Sequence, residues 1–248
     1  MERNIPEVLP VKPPDNLPKE KPLHPHLPKP PTLLTMISPV KTGKSTIVSN
    51  LFLNENFYGQ DYFDEVHIIS NTIHNDVTSR FLLKSCECYD HYEDSIIEGI
   101  VERQKKYEKQ DQPHLAVALD DCLGSIRREA TINHLASRFR HYNIKLLLIS
   151  SQNFRNVSPV IRSNSTAMII GSPFPNSKEL GKIAEEIGDQ FGGEKNKKYM
   201  LSRLKKLLIK ISKEDENQQL NFIENEFNSW KGDNEQIDDV CLMGLRIT

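Results

Sequence analysis

The sequence predicts an α/β fold built on a mostly parallel sheet with helices on both faces, and three observations carry that expectation. Apolar runs with strand character at 33–37, 62–71, 113–121, 144–153 and 166–171 alternate with segments whose apolar residues recur at helical spacing, the pattern of a parallel sheet crossed by helices. Several runs stop abruptly in polar or acidic residues, Asp120-Asp121 and Gln152-Asn153 among them. In such sheets ligands bind beyond the carboxyl ends of the strands. The first run breaks into a turn that ends in Gly43-Lys44-Ser45 and opens directly onto a helical pattern.

Composition narrows the class. The 248 residues suffice for one α/β domain with appendages, and 37% hydrophobic and 27% charged residues are globular values. A net charge of -2 does not announce nucleic-acid binding, so any such role must rest on local patches. Cys86, Cys88, Cys122 and Cys241 match neither a common zinc spacing nor Cys-x-x-Cys, which reads as reduced, intracellular thiols. No apolar run approaches a membrane span, and the first residues lack the parts of a signal peptide. A soluble, cytosolic protein is expected.

Residues 1–31 hold most of the prolines, including Pro13-Pro14 and Pro30-Pro31. Such a segment lacks the backbone donors for helix or sheet and reads as an extended arm, either a free tail or a strap along the domain edge or a neighbouring subunit. The core is expected over 32–213, and 214–248 is a polar, acidic extension in which Trp230 is the one bulky anchor.

The core opens on Leu33 to Ile37 as a buried strand. The turn Ser38, Pro39, Val40, Lys41, Thr42, Gly43, Lys44, Ser45, Thr46 follows, and then Ile47 to Leu53 as a helix. Strand, turn and helix in this order make a phosphate cradle: loop and helix N–H groups face a phosphate chain, Lys44 reaches its outer phosphates, and the Ser45 hydroxyl completes the shell of a bridging Mg²⁺. The full pattern asks for glycine at Ser38. An ordinary strand-to-helix turn with a surface lysine is the plain reading of the tripeptide alone.

Tyr62 to Asn71 is the second strand. Thr72 to Cys88 reads as a loop with a short helix, and Asp94 to Gln110 as a helix with Ile96, Ile97, Ile100, Val101 and Tyr107 on one face. His67 and His74 read as packing or surface groups. Pro113 to Asp121 is an apolar strand ending in two carboxylates. A phosphate loop needs an acid at the tip of a nearby parallel strand to hold Mg²⁺ through its waters, and Asp120 stands there. Asp121 faces the gap before the γ-phosphate, where it can orient or deprotonate the attacking water. A polar turn is the alternative for this pair.

Ile126, Ile132, Leu135, Ala136 and Phe139 mark a helix before the strand at Ile144, whose tip carries Gln152 as a hydrogen-bonding sensor of phosphate or water. Pro159 to Asn164 is a short helix and Thr166 to Gly171 the fifth strand. Further on, Ser177 to Phe191 has helical spacing. Met200, Leu201, Leu204, Leu207, Leu208 and Ile211 recur at helical spacing, with the densest basic cluster, Lys195 to Lys210, around them. That cluster suits a solvated helix face or contact with a phosphate backbone.

Taken together, the proline-rich lead, the phosphate loop, Asp120-Asp121, Arg140-His141 before the strand ending at Gln152, and Ile161-Arg162-Ser163-Asn164 resemble the genome-packaging ATPases of large DNA viruses, poxvirus and giant-virus type, within the FtsK–HerA superfamily of P-loop NTPases. The resemblance spans roughly 24–171. It implies a RecA-like (ASCE) core in which one strand separates the acid strand from the loop strand, and a homo-oligomeric ring that pumps double-stranded DNA into a capsid with ATP and Mg²⁺. It further implies Asp121, Gln152 and Arg140 as catalytic residues, Arg140 acting from the next subunit with Arg138 and Arg162 behind it, and Ser45 and Asp120 as metal ligands. A capsid or portal-like viral protein is the implied partner. The site of action is the host cytoplasm where virions assemble, or the virion itself. Two departures stand out: Ser38 in place of the first loop glycine, and Asp121 where many such enzymes carry Glu. Two other readings fit the motifs less fully: a P-loop phosphotransferase, which needs lid arginines that the sequence does not show, and a structural protein in which ATP only fixes an assembly's conformation.

Overall fold

A computed structural model describes residues 27–59, 61–75, 77–125, 130–171, 179, 181–183, 186, 206–207, 210, 216–231 and 242–243. Its centre is one seven-stranded sheet, all of whose pairings are parallel. In chain order the elements are β1 (Thr32–Ile37), α1 (Lys44–Leu53), β2 (Glu65–Ser70), α2 (Leu82–Ser85), β3 (Glu87–Tyr89), α3 (Asp94–Lys105), β4 (Leu115–Asp120), α4 (Thr131–Arg138), β5 (Ile144–Ser151), α5 (Pro159–Asn164), β6 (Ala167–Ile170), α6 (Glu216–Lys231) and β7 (Leu242–Met243). Across the sheet the order is β3-β2-β4-β5-β1-β6-β7. The predicted α/β class holds, and β5 alone separates β4 from β1.

Side-chain alternation explains why both faces are covered. Leu33 and Ile37 of β1, Leu115, Val117 and Leu119 of β4, and Leu147 and Ile149 of β5 all point to one face, where Ile97 and Ile100 of α3, Ile132 and Leu135 of α4 and Ile161 of α5 pack on them. Their neighbours Leu34, Met36, Ala116, Ala118, Leu146 and Leu148 point to the other, under Val48, Leu51 and Phe52 of α1 and Leu82 of α2. Strands sandwiched this way read as near-continuous apolar runs, and β1 and β4 are buried along their whole lengths. Fully burying one such side chain stabilises the fold by about 1.5–3 kcal/mol.

The described end of the proline-rich segment belongs to this second core. Leu27 is buried among its residues and the Tyr58 hydroxyl donates to the Pro28 carbonyl at 2.8 Å. Residues 1–26 of the arm lie outside the described residues, as do most of 172–215 and 232–248. The predicted helix at 177–191 and the basic cluster at 195–210 therefore fall largely outside them, with Glu179, Gly181, Lys182, Ile183, Glu186, Lys206, Leu207 and Lys210 helical where described. Two strands went unread in the sequence: β3, three residues long, and β7, two residues long. Tyr107, expected on the buried face of α3, lies beyond its end and is exposed, while Gln104 takes a buried place by donating to the Pro113 carbonyl at 2.9 Å.

Two residues outside the hydrophobic pattern fix the sheet's edges. Asn143 turns the chain from α4 into β5 in the left-handed region (φ 53°), and its Nδ2 donates to the Gln112 and Pro113 carbonyls at 2.7 and 3.1 Å. Asn143→Ala removes two hydrogen bonds, one buried and one partly buried, worth about 1 kcal/mol each and adds about 1 kcal/mol of left-handed strain. Urea denaturation should show a loss of roughly 3 kcal/mol. His67 on β2 is fully buried, with its ring nitrogens 3.4 Å from Glu65 and 3.2 Å from Glu87. Burial holds its imidazole below the ordinary value of 6.5, against the pull of Glu87 and Glu65 and with Arg103 nearby adding to the depression. The unfolded chain therefore takes up the proton first, and stability falls as the pH drops below about 6.5. A chain carrying His67→Gln should lose that part of its acid sensitivity in denaturation curves recorded from pH 7.5 to 5.

Candidate nucleotide site

Strand register brings the site together. Ile37 of β1 lies opposite Ser151 of β5, and Ser150 of β5 lies opposite Asp120 of β4, so the three strands end level to within a residue. Ser38, Gln152 and Asp121 therefore emerge side by side along one sheet edge. The outer two of three adjacent strands stand roughly 10 Å apart, a gap that the Lys44 side chain, rooted in the first residue of α1, spans.

Lys44 is 8% exposed and its ammonium has three donors, each of which is met. It donates to the Ser38 carbonyl at 2.9 Å and the Pro39 carbonyl at 3.2 Å, and pairs with Asp121 Oδ2 at 3.2 Å. The same carboxylate oxygen accepts from Gln152 Nε2 at 3.2 Å. Lys44, Asp121 and Gln152, far apart in the chain, are thus one cluster. Asp121 sits in the left-handed region (φ 52°), which Asp tolerates better than most residues, and its N–H donates to Ser150 Oγ at 3.3 Å.

Ser150 went unrecognised in the sequence. Its hydroxyl donates to Asp120 Oδ1 within the sheet, where both residues are buried. One oxygen of Asp120 is therefore held while Lys44 turns to the neighbouring carboxylate. A serine in an apolar strand gives no signal until the strand order places it against an aspartate.

The loop itself has two left-handed residues, Lys41 (φ 62°) and Gly43 (φ 85°). Gly43 ends it as the N-cap of α1, whose first turn has neither a side-chain cap nor an acidic residue. Its N–H groups and positive dipole end are thereby left to an anion. Across the loop the Thr42 hydroxyl donates to the Pro39 carbonyl at 2.6 Å, leaving it to accept from the Ser38 hydroxyl. An uncapped helix start, a lysine and hydroxyls at Ser45 and Thr46, with the carboxylates of Asp120 and Asp121 beyond one intervening strand, are a donor set that fits a Mg²⁺-nucleotide. Among the described residues no cluster of three His, Cys, Asp or Glu side chains forms a metal site.

The arginines fall elsewhere. Arg140 and Arg138 lie at the end of α4 and in the turn that leads into β5 at its amino end, an eight-residue strand, roughly 25 Å, from Gln152. Arg140 is exposed, with its guanidinium 5.6 Å from the Phe139 ring centroid. It cannot serve its own chain's cluster, and any role needs a neighbouring subunit. Arg162, the third candidate, is held: its Nε pairs with Glu186 at 2.6 Å, an Nη donates to the Val157 carbonyl at 2.6 Å, and its guanidinium covers the Phe154 ring. It joins α5 to the segment after Gln152.

No protein-family model and no curated protein matches the chain. Solved structures do. The DNA-packaging ATPase B204 from Sulfolobus Turreted Icosahedral Virus superposes with a TM-score of 0.50 at 16% identity, over 65% of this chain and 85% of that one. The genome-packaging NTPase B204 from Sulfolobus turreted icosahedral virus 2, in complex with ATP-gammaS, gives 0.47 at 15% over 66% and 87%, and the cytoplasmic domain of EssC 0.49 at 16% over 81% and 44%. The first likeness bears on the fold alone, a RecA-like α/β core with a parallel sheet.

Proposed function

We propose that this chain is an ATP-driven motor of the FtsK–HerA superfamily that packages double-stranded viral DNA into a capsid, hydrolysing ATP at the subunit interfaces of a homo-oligomeric ring. One observation carries the reading: Lys44, Asp121 and Gln152 meet at the carboxyl edge of a parallel sheet, with β5 between the loop strand and the acid strand. Fold likeness to a viral DNA-packaging ATPase and the motif resemblance support the choice of motor over other P-loop enzymes.

In this reading the loop 38–46 holds the phosphates through the backbone N–H groups that follow Pro39, and the lysine exchanges a present acceptor for phosphate oxygens. Ser45 and Asp120 would hold a Mg²⁺ ion, which would supply charge neutralisation at the phosphates. Asp121, released from Lys44, takes the proton of the attacking water while Gln152 orients that water or senses the γ-phosphate. Arg140 is supplied to the next subunit's site, where neutralising transition-state charge is worth about 10³–10⁵ in rate. The motor works where virions assemble in the host cytoplasm, against a capsid or portal-like protein.

The test is ATP turnover of the purified chain with and without duplex DNA, alongside native mass measurement. Turnover stimulated by DNA in a ring-sized species is the expected result. Turnover indifferent to DNA counts against the motor, and tight ATP binding without hydrolysis points to the structural alternative.

A further inference from the structure

The loop departs from its usual pattern at Ser38, and the reason lies on another strand. Ser38 is 1% exposed at the end of β1, clamped from both sides. Its N–H donates to the Ser151 carbonyl of β5 at 3.0 Å, and the preceding carbonyl, Ile37, accepts from the Gly171 N–H at 2.8 Å. Gly171, the first residue after β6, therefore stands directly beside it. A methyl group on Gly171 would lie 1.8 Å from Ser38 Oγ, 2.6 Å from Ser38 Cβ and 3.3 Å from Ser38 Cα. Turning the hydroxyl away relieves the first of these, but the second is fixed by the backbone. Gly171 is not in the left-handed region, where the positive-φ glycines described are Gly43 and Gly59. What the position needs is the missing side chain, not freedom of φ.

We infer that Gly171 is a positioning residue for the nucleotide loop: the room it leaves lets serine occupy the first loop position, and through Ser38 it sets where Lys44 stands. The linkage is direct. The Ser38 carbonyl is the 2.9 Å acceptor of the Lys44 ammonium, and the Ser38 hydroxyl bonds Thr42 across the loop. Pushing Ser38 off β6 moves both the lysine's anchor and the loop's cross-tie. The usual loop glycine and a bare residue at 171 are then alternative ways to empty the same space, and this chain has moved the vacancy from one strand to the next.

The proposal rests on the nucleotide-binding reading above, and a reversal experiment separates the two. The full chain and its G171A, S38G and S38G/G171A variants are compared for ATPγS affinity, for kcat and KM of ATP hydrolysis, and for thermal unfolding. G171A should weaken ATPγS binding and raise KM at least tenfold. The double variant, whose nearest remaining contact is the 3.3 Å to Cα, should recover to within about threefold of S38G alone. A G171A chain that binds as the parent does, or a double variant as weak as G171A, overturns the proposal while leaving the nucleotide site standing. If G171A does not fold, the double variant decides: it must fold and bind, and its failure to do either refutes the coupling. A parent chain that binds no nucleotide overturns the functional reading itself and the positioning role with it.

Discussion

Lys44→Ala will all but stop ATP turnover, lowering kcat by about a hundred- to a thousandfold, the usual consequence of deleting one preorganised group that meets developing charge in a water-poor site. The structure makes the loss larger than that of a surface charge. All three donors of this ammonium are in use inside the loop and the acid strand. Its removal leaves the Asp121 carboxylate without its cation and the Ser38 carbonyl without the lysine's donor, while the Pro39 carbonyl keeps the Thr42 hydroxyl, and a buried polar group left unmet costs about 1–3 kcal/mol. Nucleotide affinity should therefore fall as well, by at least tenfold, because the loop that must hold the phosphates loses its internal tie. Lys44→Arg will not substitute: a planar fork cannot replace a compact ammonium among acceptors that converge from two loop carbonyls and a carboxylate. Steady-state hydrolysis and ATPγS titration of the two variants check both statements, and an alanine variant turning over at a tenth of the parent rate or better would remove Lys44 from the chemistry.

The sheet and the cluster differ in how far each could be read from the chain. β1, β4 and β5 announce themselves because sandwiched strands are apolar over most of their length, and α1 follows because its apolar spacing starts where the turn ends. The carboxyl-edge location of Lys44, Asp121 and Gln152 follows from the alternation of strands and helices. Their mutual contact does not, since it needs the order β4-β5-β1 and the register that sets Asp120 against Ser150. β3 escaped because three residues of mixed polarity, Glu87-Cys88-Tyr89, carry no period, and at the sheet's margin only one neighbour holds them. The helix Glu216–Lys231 went unread inside a segment judged by its charge: half-buried Phe222, Ile223 and Phe227 lie in a predominantly polar sequence. Ser38 and Gly171 were visible as letters, one as a departure and one as a strand's end. Nothing along the chain says that they share a volume.

Asp121 is the sharper test of mechanism, because in this structure it is a partner of Lys44 and in the proposed reaction it is a base. Asp121→Asn separates the roles. Asparagine accepts the left-handed backbone at φ 52°, can still meet Gln152, and nearly matches the carboxylate in size, so the loop should keep its shape. It removes the charge that holds Lys44 in the absence of phosphate and the basicity that would take water's proton. Were Asp121 only a counter-ion, its neutralisation would free the lysine for phosphate, tightening ATP binding and sparing kcat. As the base it should lower kcat by about 10²–10⁴, the contribution of a positioned proton acceptor, with ATPγS affinity unchanged or improved. Asp121→Glu extends the argument: the arm is one methylene longer, and the carboxylate must fit beside Gln152 and the Lys44 ammonium in a space set by β4 and β5. A glutamate that restores part of the lost kcat, where asparagine restores none, requires the carboxylate itself. Equal rates for the aspartate and asparagine chains would assign the proton transfer to some other group and leave Asp121 as the lysine's resting partner.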